Sequence, residues 1–400
     1  PAEPSQFRSD IFKQTPPSYT FRFRRKLRDY NRPLDVVYNL SYTHFMIRVA
    51  INGYGRIGRL AHRVVLEKYS SEVDVVAINA GSSTDIKGWR YLLKYDSVYH
   101  ILNSEFRIQN SELKEEEKTG RLRDAIGHII INDKKIPVFS QKDPSFLPWK
   151  DLNVDVVIES TGHFLNAEKL KSHLIAGAKR VVLSAPSKEE GEGISTYVLG
   201  VNDKKYNGET LVSNASCTTN CIAPVAKIMV DHFGIEKAMM TTIHGFTSDQ
   251  RLQDGGHKDY RRARAASLNI VPTSTGATIA AAKALPELAN IFSGLAIRVP
   301  VPVGSLSDFT FLLKKATTVH EVNKIFIHEA QNPIYKGILE VTEDPIVSSD
   351  IIGNSHSAIV DLSLTQVVGR NMVKVIAWYD NEYGYANRLV EEVIMVGGYS

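Results

Sequence analysis

Beyond Met46 the chain alternates between unbroken apolar runs and stretches whose apolar residues recur at helical spacing. "IRVAI" (47–51) and "VDVVAIN" (73–79) are of the first kind; "IGRLAHRVVLEKY" (57–69), between them, is of the second. Unbroken Val/Ile runs predict strands buried on both faces, hence a mostly parallel sheet covered by helices. Residues 105–140 are more polar and predict a hairpin over "GHIIINDKKIPVF" (127–139) that turns at Asn132-Asp133. The rhythm resumes with "VDVVIEST" (154–161), the helix "NAEKLKSHLIAGA" (166–178), "RVVLSAP" (180–186) and "TYVLGVN" (196–202).

After "LVSNASCTTNCIAPVAKIMVDHFG" (211–234) the texture changes. "EKAMMTTIHGF", "LAIRVPVPVG", "SDFTFLLKK" and "SAIVDLSLTQVVG" are longer strands with alternation, joined by few helices. The predicted class is α/β, and at 400 residues the chain exceeds what one core usually serves. A doubly wound parallel sheet is expected over 46–216 and a second, mixed α/β domain with a largely antiparallel sheet over 217–380. The amphipathic "DNEYGYANRLVEEVIMVG" (380–397) predicts a C-terminal helix within 381–400, packed back on the first domain.

Composition adds a class and removes others. With 43% apolar and 23% charged residues, and no apolar run near eighteen, the chain reads as soluble and globular. Two cysteines exclude a disulfide framework and suit a reducing compartment, so the cytoplasm is expected. The net charge of +4 sits entirely in residues 1–45, where eight Lys/Arg meet four Asp/Glu; residues 46–400 hold forty of each sign. That balance argues against a nucleic-acid surface. Residues 1–45 predict either an organelle-targeting segment or, the reading we favour, poorly ordered sequence upstream of the working protein, since Met46 directly precedes the first strand.

Chemistry enters at three places. Gly53-Tyr54-Gly55-Arg56-Ile57-Gly58 follows a predicted strand and opens a predicted helix, the setting of a Rossmann-type dinucleotide site. The glycines give a tight turn, let backbone approach a diphosphate and let helix pack on strand, with the anion on the helix N-terminus. The second strand should end on an acid for the ribose; "DVVAINAGSS" (74–83) has Ala80 there.

In "SNASCTTNC" (213–221), Cys217 lies where a polar loop becomes a helix, a position that favours the thiolate. Cys221 follows one turn later, but a metal site lacks further ligands. His244 ends the β-run "TTIHGFT", and with Cys217 it suggests a nucleophile–base pair. The third set is cationic: Arg261, Arg262 and Arg264 precede the loop Thr273-Ser274-Thr275-Gly276, and Arg298 stands inside an apolar strand. A buried Arg needs an anion, which a phosphorylated substrate supplies; salt-bridging between domains or subunits is the competing reading for the cluster.

Together these residues resemble the phosphorylating glyceraldehyde-3-phosphate dehydrogenase family over essentially all of 46–400. "INGYGRIGR", "LLKYDS", "IESTG", "SNASCTTNC", "HKDYRRARAA" and "WYDNEYGYANR" appear in that family's order. The resemblance implies Cys217 as nucleophile and His244 as base, acting through a thiohemiacetal and a thioester. It implies Thr247 and Arg298 for the substrate phosphate, and Ser216, Thr218, Thr275 and Gly276, with Arg262 nearby, for inorganic phosphate. It implies Gly53, Gly55, Arg56, Ile57, Gly58, Asn79, Ala80, Ser82, Thr161, Gly162 and Ser184 along the NAD(P), with Asn381 on the nicotinamide amide and Tyr385 beside it. No metal is implied, and a homotetramer is, with 245–270 as an interface loop.

Many members have Asp at the position of Ala80, and NAD-selective ones often have Pro at that of Gly256. Losing that carboxylate removes an acceptor for ribose and a repulsion against a 2′-phosphate, while Gly81, Ser82 and Ser83 offer donors. NADP is therefore expected to serve at least as well as NAD. His163, in "IESTGHF", has no function legible in the sequence. An erythrose-4-phosphate dehydrogenase and a non-catalytic NAD(P)-binding protein remain the rival readings.

Overall fold

The computed structural model describes residues 46–110, 124–187 and 193–399. The expectation of poor order for residues 1–45 falls outside them. Nine strands form the first sheet, in the order 195–196, 211–213, 180–183, 156–159, 47–52, 73–79, 134–139, 127–131, 106–110. The first seven run parallel; the last two close the edge as antiparallel strands. Asn132 and Asp133 both have positive φ (47° and 66°), the backbone a two-residue hairpin turn requires.

Helices cover both faces of this sheet. Helix α1 (Arg56–Lys68) places Leu60, Ala61 and Val64 on Val49 and Ile51, while α2 (Ile86–Lys94) adds Leu93 to the same core. Helix α3 (Ala167–Ile175) buries Leu170 on the opposite face, with Ala50, Ala77 and Val157. That two-sided burial is why these strands read as unbroken apolar runs.

The second sheet orders its strands 271–274, 292–299, 235–245, 305–313, 372–379, 358–361, 339–342, with 366–368 also on 372–379. It is largely antiparallel, but 235–245 and 292–299 run parallel, as do 339–342 and 358–361. Strand 305–313 alternates buried and half-buried residues along its whole length, as its sequence predicts. Helices α4 (Cys217–Phe233), α5 (Ala277–Ala284) and α6 (Val319–Ala330) build its core with Phe309, Phe311 and Phe326.

Helix α7 (Tyr383–Gly397) lies on the first sheet, where Ala386, Leu389, Val390 and Val393 join the core of Val49, Ile51 and Ile158. It also carries Glu392, wholly buried with neither carboxyl oxygen hydrogen-bonded. Burial holds that carboxyl protonated, well above the usual carboxylate range. The unfolded chain gives the proton up above about pH 4.3, so this position makes the fold weaker as pH rises. Glu392→Leu is expected to raise stability at pH 7 by about 1–3 kcal/mol, read as a higher urea midpoint, with a smaller gain at pH 5. Equal midpoints for the two proteins at both pH values would refute this.

Candidate active site

The strand 47–52 is the switch point of the first sheet, with 73–79 on one side and 156–159 on the other. A groove of about 490 Å³ opens beyond these strand ends, lined by Gly53, Gly55, Asn79, Ala80, Ser82 and Thr161 among others. Gly53 has φ +93°, and a Cβ there would fall 2.6 Å from Thr161 N; no side chain fits. A Cβ on Gly58 would strike Gly53 O, so α1 meets its strand only because this residue lacks one. A Cβ on Gly55 would meet nothing. Gly55 also caps α1 without any side-chain hydrogen bond, which leaves the first N–H groups of the helix for an anion. The cradle fits a dinucleotide diphosphate.

Several groove residues anchor the strand ends. Asn79 Nδ2 donates to Asn52 Oδ1 (2.6 Å) and Gln141 O (2.9 Å), while Thr161 N donates to Glu159 (2.8 Å). Ser184 N donates to Glu159 O at 2.9 Å, and Gly162 adopts φ +74°. Ile57 is half-buried against the first core. Arg56 turns its side chain away from the groove, pairing with Asp96 (2.6 Å) and with Glu382 just ahead of α7. Arg56 does not line the groove. Lys142, exposed on the groove, escaped the sequence reading, and His163, which the sequence left without a function, lines the same groove. No local pattern marks Lys142.

A second cavity, of about 620 Å³, holds Ser216, Cys217, Thr218, His244, Arg262, Thr275, Gly276 and Arg298 together. Eight residues spread over 83 positions meet here because α4 and α5 start beside one end of the second sheet. Ala215, in the left-handed region (φ 53°), turns the chain sharply from strand 211–213 into α4. Ser216 caps that helix, its Oγ accepting from Thr219 N at 3.0 Å, and Cys217 is the first helical residue. Cys217 Sγ lies 3.4 Å from His244 Nε2. His244 sits directly across from Arg298 in the parallel pairing of strands 235–245 and 292–299.

Electrostatics correct one expectation. The helix start does not by itself hold a thiolate: burial pushes the Cys217 thiol up, against the pull of Arg298 and Thr218. Burial, reinforced by Arg298, lowers His244 to about 3. The ring is therefore neutral at physiological pH and able to accept the thiol proton. Sequence reasoning missed the support beneath this pair. Tyr379 Oη bridges Thr218 Oγ1 (2.9 Å) and Thr242 Oγ1 (2.8 Å), and its ring meets His244 edge-on. Thr242, two residues before His244 on the same strand face, was the available signal.

The cations divide. Arg262 is already paired, with Asp249 at 2.7 Å and Thr273 Oγ1 at 2.9 Å, and Arg264 pairs with Asp254, so salt bridging describes part of that cluster. Arg298 has no carboxylate partner among the described residues, and its buried Nε is unbonded. Thr247 is not in the Cys217 cavity; it lines a separate one with Arg56, Gln250 and Glu382. Asn381 is buried, its Oδ1 accepting from Ser305 Oγ (2.8 Å) and Gly304 N (3.2 Å). Tyr385 is also buried and donates to Ala215 O at 3.2 Å, tying α7 to the turn before Cys217.

Comparison with known proteins bears on this arrangement. The model of the glyceraldehyde 3-phosphate dehydrogenase NAD binding domain matches residues 47–167, and that of the C-terminal domain matches 216–381. The chain belongs to the glyceraldehyde 3-phosphate dehydrogenase family. It is 48% identical to the glyceraldehyde-3-phosphate dehydrogenase of Mycolicibacterium smegmatis over 88% of this chain and 98% of that one. It is 46% identical, with the same coverage, to glyceraldehyde-3-phosphate dehydrogenase 2 of Streptomyces arenae. As in the family at large, an NAD-binding domain is joined to a C-terminal one. No helix among the described residues of this dehydrogenase is long and apolar enough to cross a membrane. Nor does any group of three His, Cys, Asp or Glu among them suit a metal.

Proposed function

We propose that this protein oxidises glyceraldehyde 3-phosphate to 1,3-bisphosphoglycerate, with inorganic phosphate as co-substrate and NAD(P) as hydride acceptor. The carrying observation is the 3.4 Å approach of Cys217 Sγ to His244 Nε2 inside a cavity that also holds Arg262 and Arg298. His244 Nε2 takes the thiol proton, the sulfur attacks the aldehyde carbon, and the ring returns that proton to the new alkoxide, giving a thiohemiacetal. His244 then accepts the hydroxyl proton as the carbon is oxidised to a thioester; a bound nicotinamide supplies the hydride acceptor. Phosphate held by Ser216, Thr218, Thr275, Gly276 and Arg262 attacks the thioester carbon and displaces the Cys217 thiolate. Arg298 holds the substrate's own phosphate, and the family match adds Thr247, which lines a separate cavity. Asn381, its Oδ1 already occupied, has its Nδ2 to offer the nicotinamide amide.

The experiment is coenzyme reduction with and without inorganic phosphate. Strict phosphate dependence supports the proposal; equal rates without phosphate, with release of an acid, favour an erythrose-4-phosphate-type oxidation.

We also infer that NADP is used at least as well as NAD. Ala80 puts no carboxylate on the groove, Ser82 and Lys142 line it, and Gly256 stands exposed in the 250–260 loop. The kcat/KM for NADP is expected to equal or exceed that for NAD; a large NAD advantage would refute this. Exposed Leu252, Tyr260, Leu268 and Ile270 on the 245–270 loop support a homotetramer, since apolar side chains clustered on one loop call for a partner surface. Two unpaired cysteines suit the cytoplasm as its compartment.

A further inference from the structure

Three adjacent strands of the first sheet end on polar residues that stand level with one another. Asn52 closes strand 47–52, and the register sets it across from Asn79 on one side and Glu159 on the other. All three are buried; Asn52 and Asn79 line the dinucleotide groove, and Glu159 does not.

Donors run into this row from both ends. At one end Trp149 Nε1 donates to His173 Nδ1 at 3.0 Å, and His173 Nε2 lies 3.0 Å from Glu159 Oε2. An indole nitrogen only donates, so Nδ1 must accept, the ring is neutral and its single N–H, on Nε2, points at the carboxylate. At the other end Gln141 N donates to Asn79 Oδ1 and Gln141 O accepts from Asn79 Nδ2, both at 2.9 Å. Backbone groups cannot exchange these roles. They make Asn79 Nδ2 the donor to Asn52 Oδ1, which leaves Asn52 Nδ2 to donate to Glu159 Oε2. Thr161 adds its N (2.8 Å) and its Oγ1 on Glu159 Oε1. Four donors thus meet on one side chain, and none of the directions can reverse at the two ends.

We propose that Glu159 is a positioning residue for the coenzyme: an acceptor-only side chain that fixes Asn52 and Thr161, two residues of the groove, without touching the ligand itself. An isosteric amide shows why the carboxylate is needed. Turned one way, the N–H₂ of a glutamine meets Asn52 Nδ2 and the His173 N–H; turned the other way, it meets Thr161 N. Buried donors that face donors are costly. The free protein can relieve the conflict by letting Asn52 or Thr161 shift into the open groove. A bound dinucleotide occupies that room, so the cost falls on coenzyme binding. The inference stands on the groove as the coenzyme's seat and is independent of how Cys217 reacts.

Calorimetric titration of the full chain with NADH gives the test, beside steady-state rates at saturating coenzyme. Glu159→Gln is expected to weaken NADH binding about ten-fold or more, with kcat at saturating coenzyme within about two-fold of the parent value. The thermal midpoint of the free variant should change little, while its rise on adding NADH shrinks. A purely structural role predicts the reverse: a lower midpoint for the free protein, with affinity kept. Trp149 and His173 do not line the groove. Trp149→Phe, which strips a donor from His173 but leaves Asn52 and Thr161 on the carboxylate, is therefore expected to lower the midpoint and bind NADH as the parent does. Parent-like affinity in Glu159→Gln, or a loss of about ten-fold in Trp149→Phe, overturns the proposal. The tryptophan variant decides alone if Glu159→Gln does not fold.

Discussion

Cys217→Ser is expected to lower the phosphorylating oxidation of glyceraldehyde 3-phosphate by about 10⁴-fold or more, with coenzyme binding intact. The hydroxyl is smaller than the thiol and far less acidic, and an oxygen ester in place of the thioester gives phosphate a poorer leaving group. The change is small for the fold: Cys217 is half-buried at the first turn of α4, which Ser216 caps without the sulfur. Quenching of protein fluorescence by NADH titration would show binding unchanged while the steady-state rate vanishes. Retention of a tenth of the parent activity would show that the sulfur forms no covalent intermediate.

His244→Asn is expected to cost about 10²–10⁴-fold in kcat, the usual share of one general base. The variant tests a second property of the same geometry. Burial already raises the Cys217 thiol, and without a neutral ring at 3.4 Å the proton has no nearby acceptor. The pH midpoint for alkylation of Cys217 should therefore move upward in the variant. An unchanged midpoint with lowered kcat would confine His244 to the hydride step.

The sequence discloses those parts of the site that are local in the chain. Glycines at 53, 55 and 58 sit between an apolar run and a helical stretch; a Cβ at 58 would strike Gly53 O within that one turn, although at 53 the obstacle is Thr161, far along the chain. Cys217 at a helix start and His244 at a strand end are legible for the same reason. What the chain hides is register. His244 meets Arg298 only because two strands 54 positions apart in sequence pair in parallel, with one particular alignment. Tyr379 reaches Thr218 and Thr242 by a still longer path, and no spacing rule anticipates it. Arg56 misleads in the other direction: it belongs to the glycine motif by position, yet its guanidinium is spent on Asp96 and Glu382. Helix α6 has a local signal of its own, since Thr318 and Glu321 form a complete capping box at its start.

The placement of α7 has a consequence for synthesis. Its Leu389, Val390 and Val393 finish a face of the first sheet that Val49, Ile51 and Ile158 begin. On the ribosome those early strands emerge on the order of tens of seconds before the helix that shields them. The amino-terminal half must wait, sticky side bare, for the final residues of its own polypeptide, and that interval is where a nascent chain of this design calls for a chaperone.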